Sequence, residues 1–222
     1  MSGYEEYIER VKEAIKVVEE KDRRRELLIR KGRDIMSSIR KAINYIHMNR
    51  LEEAESLLNK IKESLFSLMD EVAKIPSLLY SGTMNNLIQE YVEATTYFMI
   101  VKEGVIPSYE EYRLTDIAQY FTGLADVIGE LRRRVLEYIR KGKLKDAEHT
   151  FHVMESLYSA LLEVVHYDPV VPGIRHKCDV ARVLVENTRS EVVRAKLSFN
   201  VMTSINRLLE ILEKSVQHED SR

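Results

Sequence analysis

Residues that interrupt a helix are scarce in this chain: 222 residues hold 8 glycines and 4 prolines. That scarcity excludes a fold built of many short strands and tight turns, and predicts long uninterrupted elements. Tryptophan is absent, and cysteine occurs once, at Cys178, so no intrachain disulfide can form. Charge of one sign is missing too. The 34 Lys and Arg against 36 Asp and Glu leave −2, so any basic surface for nucleic acid must come from local clustering. No run has the length needed to span a membrane and no leader segment is evident, which predicts a soluble, cytoplasmic protein. What is plentiful is apolar residues, 45% of the chain, enough for a sizeable core in one domain over 1–222.

Apolar residues recur at helical spacing throughout. Tyr7, Val11, Ile15 and Val18 begin one stripe, and Leu28, Ile35, Ile39, Ile43 and Ile46 continue it, with Gly32 as the weak point. The pattern predicts six helices: 4–48, 51–74, 83–103, 115–141, 144–166 and 174–216. Gly104 and Gly142 end two of them, Ser108 or Thr115 is placed to cap the fourth, and 217–222 read as a frayed tail. The first helix would span about 65 Å, a length that supports an oligomer or packs along several neighbours. "NRLEEAESLL" at 49–58 echoes "GKLKDAEHTF" at 142–151, most simply because both open the second helix of a hairpin.

One apolar stretch, "LIQEYVEATTYFMIV", is broken by Glu90 and Glu93, which share a helix face. A second acidic pair, Asp126 and Glu130, lies in "FTGLADVIGEL" among small residues (Gly123, Ala125, Gly129) that admit a neighbouring helix. Two readings stand. The acids are solvated or paired with Lys and Arg, as most helical acids are. Alternatively, a bundle brings the pairs together as an all-oxygen cluster that a cation must neutralise, which suits Mg²⁺ or Mn²⁺ and the hydrolysis of phosphodiesters. Rival clusters are weaker. Glu163 and His166 form a single Glu-x-x-His repeat, where a di-iron bundle needs two. His149 and His152 lack a third ligand, and Cys178 has no histidine partner in a motif.

Basic residues gather at 21–33, 39–41, 131–134 and 140–143. Most charged helix faces are simply solvated, but Arg33, Arg40 and Lys41 fall where the first helix turns apolar, at the border of a bundle, where they could meet phosphates. Tyr91, Tyr97, Tyr112 and Tyr120 are candidates for stacking on bases, or core residues with a hydroxyl at the boundary.

Several of these segments together resemble the translin superfamily, and within it the translin-associated factor X branch. "GRDIMSSIRKAI" (32–43) is similar to the family's Arg-Asp-Ile segment and its basic pair. "QEYVEATTYFMIVKEG" (89–104) is similar to its Gln-Glu-Phe-Val-Glu-Ala helix. "DIAQYFTGLADVIGELRRRVLEYIRKGK" (116–143) is similar to its Ala-Asp-Leu-x-Gly-Glu-Leu helix, and "VEN" (185–187) falls in the closing helix. The resemblance implies an all-α bundle of six or seven helices that assembles into hollow, football-shaped octamers, here a homo-octamer if no translin partner chain exists. It implies a metal-dependent endoribonuclease, with the catalytic carboxylates on Glu90, Glu93 and Asp126 and Glu130 as a further ligand. Single-stranded RNA is the expected substrate, with DNA or short duplex RNA as other ligands. The alternatives are a non-catalytic nucleic-acid binder of translin type and a helical scaffold without nucleic acid. The loop 104–115 is short where the factor X branch often carries an insertion, and the branch's basic N-terminal extension is missing.

Overall fold

The computed structural model describes residues 3–219, with side chains described for 4–212. Among them there is no strand. Seven α-helices follow in order: α1 (Gly3–His47), α2 (Leu51–Val72), α3 (Pro76–Leu79), α4 (Gly82–Glu103), α5 (Ala118–Arg140), α6 (Leu144–Leu162) and α7 (Ile174–Glu219), with 3₁₀ turns at Tyr109–Glu111 and Val165–Tyr167. The all-α architecture with long first and last helices is as the periodicity predicts. α3 is the addition. It is a single turn started by Pro76, too short to leave a periodic signal. α6 stops at Leu162, four residues early, where the chain tightens into the second 3₁₀ turn. The tail expected at 217–222 is helical through Glu219, and 220–222 lie outside the described residues.

The described chain falls into two compact units. The first takes in Met1–Val127 and Tyr167–Ile174, and the second Ile128–His166 and Arg175–Arg222. In the first, α2 presents one stripe, Ala54, Leu58, Ile61, Leu65, Leu68 and Val72, all buried. α1 meets it with Leu28, Ile35, Ile39, Ala42, Ile43 and Ile46. α4 packs against both α1 and α2, and buries residues nearly all the way round, from Met84 to Phe98. A helix apolar on every side belongs in the middle of its bundle. α1 runs unbroken through Gly32, where the missing side chain leaves room for Leu87 of α4: a Cβ there would stand 3.1 Å from Leu87 Cδ1. In the second unit the buried side chains include Leu131 and Val135 of α5, Ala147, Met154 and Leu161 of α6, and Cys178, Ala181 and Val185 of α7.

The two hairpin turns that echo each other in sequence have one backbone solution. Asn49 and Gly142 both take left-handed φ, 59° and 69°. Arg50 and Lys143 follow at nearly equal angles, φ −93°, ψ 71° and φ −89°, ψ 66°. Each donates its backbone N–H to the carbonyl of a tyrosine five residues back, Tyr45 and Tyr138, both at 2.9 Å. Only glycine and a few polar residues enter this region of φ at low cost, which explains Asn and Gly at these positions.

Both long helices are solvent-exposed all round at one end. From Tyr4 to Val18 every described residue of α1 is exposed, including Tyr4, Ile8, Val11, Ile15 and Val18, whose spacing is that of a coiled-coil seam. On α7 the same holds for Leu197, Val201, Ile205, Leu208 and Leu212. The stripe read from Tyr7 to Ile46 is thus continuous in the helix but covered only in its second half. Among the described residues no helix is long and apolar enough to cross a membrane.

Candidate functional site

Glu90, Glu93 and Asp126 lie where α4 meets the start of α5, within the first unit. After Gly104 ends α4 in a left-handed turn, the chain runs back along it. A 22-residue helix is about 33 Å long, a distance that ten to twelve extended residues can return. Tyr112 is pinned on the way: its hydroxyl meets Thr96 Oγ1 at 2.8 Å, and its ring meets Tyr91 edge-on at 6.1 Å. Burial pushes the Tyr112 hydroxyl well above the usual phenol range. Tyr120 donates to the Pro107 carbonyl, 2.8 Å, and packs against Tyr109 and Tyr112. Of the tyrosines considered for base stacking, Tyr91, Tyr112 and Tyr120 pack edge-on or tilted against one another; Tyr91, Tyr97 and Tyr112 are buried, and the Tyr97 hydroxyl pairs with His47 Nδ1 at 3.1 Å.

The returning chain starts α5 beside the start of α4, so the two helices run the same way. Asn85 Oδ1 accepts from Gln119 Nε2 at 2.9 Å, while Gln119 Oε1 takes the backbone N–H groups of Thr115 and Asp116. Of the expected caps, Ser108 serves the 3₁₀ turn through a capping box with Glu111, and the first turn of α5 is met by Asp116, whose Oδ1 accepts from Ala118 N at 2.7 Å. One turn on, Gly123 touches α4. A Cβ built there would stand 2.8 Å from Val92 Cγ1 and 2.9 Å from the Gln89 carbonyl oxygen. Gly129, the other glycine read as admitting a helix, faces nothing within 4 Å.

This close approach carries the candidate site. Gln89 Nε2 donates to Asp126 Oδ2 at 2.7 Å, linking α4 to α5 across 37 residues of sequence. Glu93, one turn beyond Gln89 on the same face of α4, is 8% exposed and is the one charged residue in the buried class among the described residues. Glu90 is half-buried beside Gln89, and so is Asp126. Glu130 follows Asp126 by one turn of α5, also half-buried, within the second unit. The donor set, carboxylates and an amide, is of the hard-oxygen kind that Mg²⁺ and Mn²⁺ take. As placed, however, no three His, Cys, Asp or Glu side chains among the described residues form a group that could hold a metal ion. Gln89 and Gln119 were not evident from the sequence. Their only signal was a polar side chain inside an apolar run, and each finds its partner through tertiary contact.

Gly123 gives a direct test of the approach. Gly123→Ala must displace a backbone carbonyl, which unlike a side chain cannot swing aside, so destabilisation of about 1–3 kcal/mol is expected, read as a lower denaturation midpoint at unchanged slope. Gly129→Ala, with open space around it, should leave the midpoint level or raise it.

The basic residues are elsewhere. Arg33 and Arg40 are seven apart on one face of α1, with Lys41 beside them, and all three are exposed to solvent rather than bordering the bundle interior. Lys41 Nζ lies 5.6 Å from the Tyr45 ring centre, and the Arg50 guanidinium is 4.5 Å from the same ring. His149, His152, Glu163 and His166 are exposed, and Cys178 is buried against the Leu161 carbonyl, its thiol pushed up by burial.

Residues 7–188 match the Translin family. The chain belongs to that family. It is 36% identical over 174 residues to an uncharacterized protein of Methanocaldococcus jannaschii, covering 78% of this chain and 77% of that one. A translin-associated protein X homolog of Schizosaccharomyces pombe is 24% identical over 189 residues, covering 79% and 80%. Among solved structures, AfC3PO in complex with duplex RNA superposes with a TM-score of 0.78 at 33% identity, over 85% of this chain and 97% of that chain. The fold is thus the translin helical fold, with the acidic α4–α5 approach built into it.

Proposed function

We propose that this translin-family chain binds RNA and cleaves its phosphodiester bonds as a Mg²⁺- or Mn²⁺-dependent endoribonuclease, working as a homo-oligomer with eight subunits. The observation that carries the reading is the Gln89–Asp126 link, which joins α4 to α5 one turn from the buried carboxylate of Glu93. RNA as ligand is supported by the similarity to a chain solved with duplex RNA. Glu90, Glu93 and Asp126 would hold the ion. When bound, the ion would supply charge to a phosphate oxygen and lower the pKa of a water. The protein's own part is to hold the acids at a fixed helix crossing, to keep bulk water from Glu93, and to offer Glu90 or Glu93 as the base that takes the proton of the attacking water.

A second reading, a non-catalytic nucleic-acid binder, is favoured by one observation: the acids as placed do not gather in a metal-holding group of three. Incubation with labelled single-stranded and duplex RNA, with Mn²⁺ and then with EDTA, separates the two. Cleavage that EDTA stops supports the enzyme. Binding without cleavage under either condition overturns it in favour of the binder.

Affinity for RNA in a chain of net charge −2 must come from local clusters. The exposed run Arg33, Arg40 and Lys41 is the proposed phosphate contact. Arg40→Ala with Lys41→Ala is expected to weaken binding of all sequences alike and to reduce the slope of log K against log salt by about one to two. A slope equal to the parent's would place the RNA on another surface.

A further inference from the structure

We infer that Arg50, set over the ring of Tyr45 where α1 turns into α2, is a stacking platform for an unpaired base of single-stranded RNA, at the end of the basic face proposed to meet its phosphates. The inference rests on the RNA-binding reading above, not on cleavage or a metal, and names the part of the RNA that this corner recognises.

The basic face leads to it. In residues 27–49, Arg30, Lys31, Arg33, Arg40 and Lys41 stand against a single acid, Asp34. Arg30, Arg33, Ser37, Arg40 and Asn44 recur at three- and four-residue intervals, with Lys41 beside Arg40, and all six are exposed, so they share one face of α1. Lys31 pairs with Glu71 at 2.6 Å. Arg30, Arg33, Arg40 and Lys41 form no ion pair with any described residue, which leaves their charge to phosphates.

Arg50 differs from these in two ways. Its charge is already answered: Nε and Nη2 both donate to Glu53 Oε1, at 2.9 and 2.7 Å. Its place is also fixed. The left-handed turn at Asn49, φ 59°, carries the chain back so that the Arg50 N–H reaches the Tyr45 carbonyl at 2.9 Å, and the guanidinium lies 4.5 Å from the centre of the Tyr45 ring. Tyr45 is half-buried and Arg50 exposed. A planar group whose charge is compensated and whose position is held by an aromatic ring offers solvent a flat surface, and nucleobases stack on guanidinium and aromatic planes. Lys41 Nζ lies 5.6 Å from the same ring centre, so a phosphate on Lys41 and a base on Arg50 belong to neighbouring parts of one strand. In a duplex the bases are paired and stacked inside, out of reach of an exposed side chain. The corner therefore selects a strand with a free base.

The test measures binding to the full chain, in EDTA and over a range of salt, of three labelled RNAs: a single strand, an abasic strand of the same length and a blunt duplex. Arg50→Ala is expected to weaken binding of the single strand about 5- to 100-fold, with the salt slope unchanged, and to leave the abasic strand and the duplex at the parent level. Arg50→Lys keeps the charge and loses the plane, and is expected to lose affinity for the single strand in the same way. Parent-like binding of the single strand by either variant would overturn the inference. So would an equal loss for all three RNAs with a salt slope lower by about one, which marks a phosphate contact. Should Arg50→Ala not fold, Arg50→Lys decides. A parent that binds none of the three overturns the RNA-binding reading and the platform with it, whereas a parent that binds and variants that bind equally sink the platform alone.

Discussion

Changing Glu90 and Glu93 together to Gln is expected to reduce RNA cleavage by about 10²–10⁴-fold or more while leaving RNA binding in place. The reason lies in the setting of the pair. Glu93 is buried in a helix whose neighbouring residues Tyr91, Val92 and Ala94 are buried too, and Glu90 is one turn away on the same face. Two carboxylates there repel each other, and each is costly to desolvate. Glutamine has nearly the same shape and no charge, so the double variant should keep the fold and can be compared with the parent in EDTA. It should also lose any stabilisation that Mn²⁺ gives the parent, since an ion that binds the folded form alone stabilises by mass action. The opposite pattern, a lower melting temperature in EDTA with cleavage intact, would mean that the acids serve folding through charged partners and that the chemistry lies elsewhere.

The second large effect concerns assembly. Leu208 and Leu212 of α7 are each 61% exposed in the single chain and belong to a seam spaced as in a coiled coil. Burying such a side chain is worth about 1.5–3 kcal/mol, and a symmetric assembly repeats that gain at every copy of the contact. Leu208→Glu with Leu212→Glu is therefore expected to convert a large homo-oligomer into species approaching the 25.9 kDa protomer, measured by light scattering at micromolar concentration. Both residues are exposed in the protomer, so its helix content should not change. A parent that already scatters as a monomer would refute the assembly; an unchanged large mass in the variant would move the interface off this seam. The corresponding seam on α1, from Tyr4 to Val18, is a separate candidate for the same experiment.

Much of this was legible from local pattern. Period-3.6 apolar spacing located every long helix, and the glycines at 104 and 142 marked two ends within a residue, because a left-handed turn is a local demand. The acids on α4 stood out for the same reason: charge in an apolar run is a local anomaly. What stayed hidden depends on distant partners. The pattern of α1 gives its stripe but not which half is covered. The inward facing of Tyr91 and Tyr112 depends on a loop that doubles back, and Arg40 and Lys41 read as bordering the bundle although the face they share with solvent is set by where α2 and α4 pack. Gln89 shows no role in its local sequence, since its partner lies 37 residues on.

The paired turns at Asn49 and Gly142 bear on how the chain finds its structure. Each closes two helices through contacts a few residues apart, and the entropy lost in closing a loop rises with its length. The α1–α2 and α5–α6 hairpins are thus the low-contact-order parts of the molecule, able to form as soon as their own residues have left the ribosome. The approach of α5 to α4 is of the other kind. It brings Gln89 to Asp126 only after the connection from Gly104 has retraced α4, and its rewards come late in ordering. The segment that places the acids therefore depends, more than the hairpins do, on contacts between residues far apart in the chain.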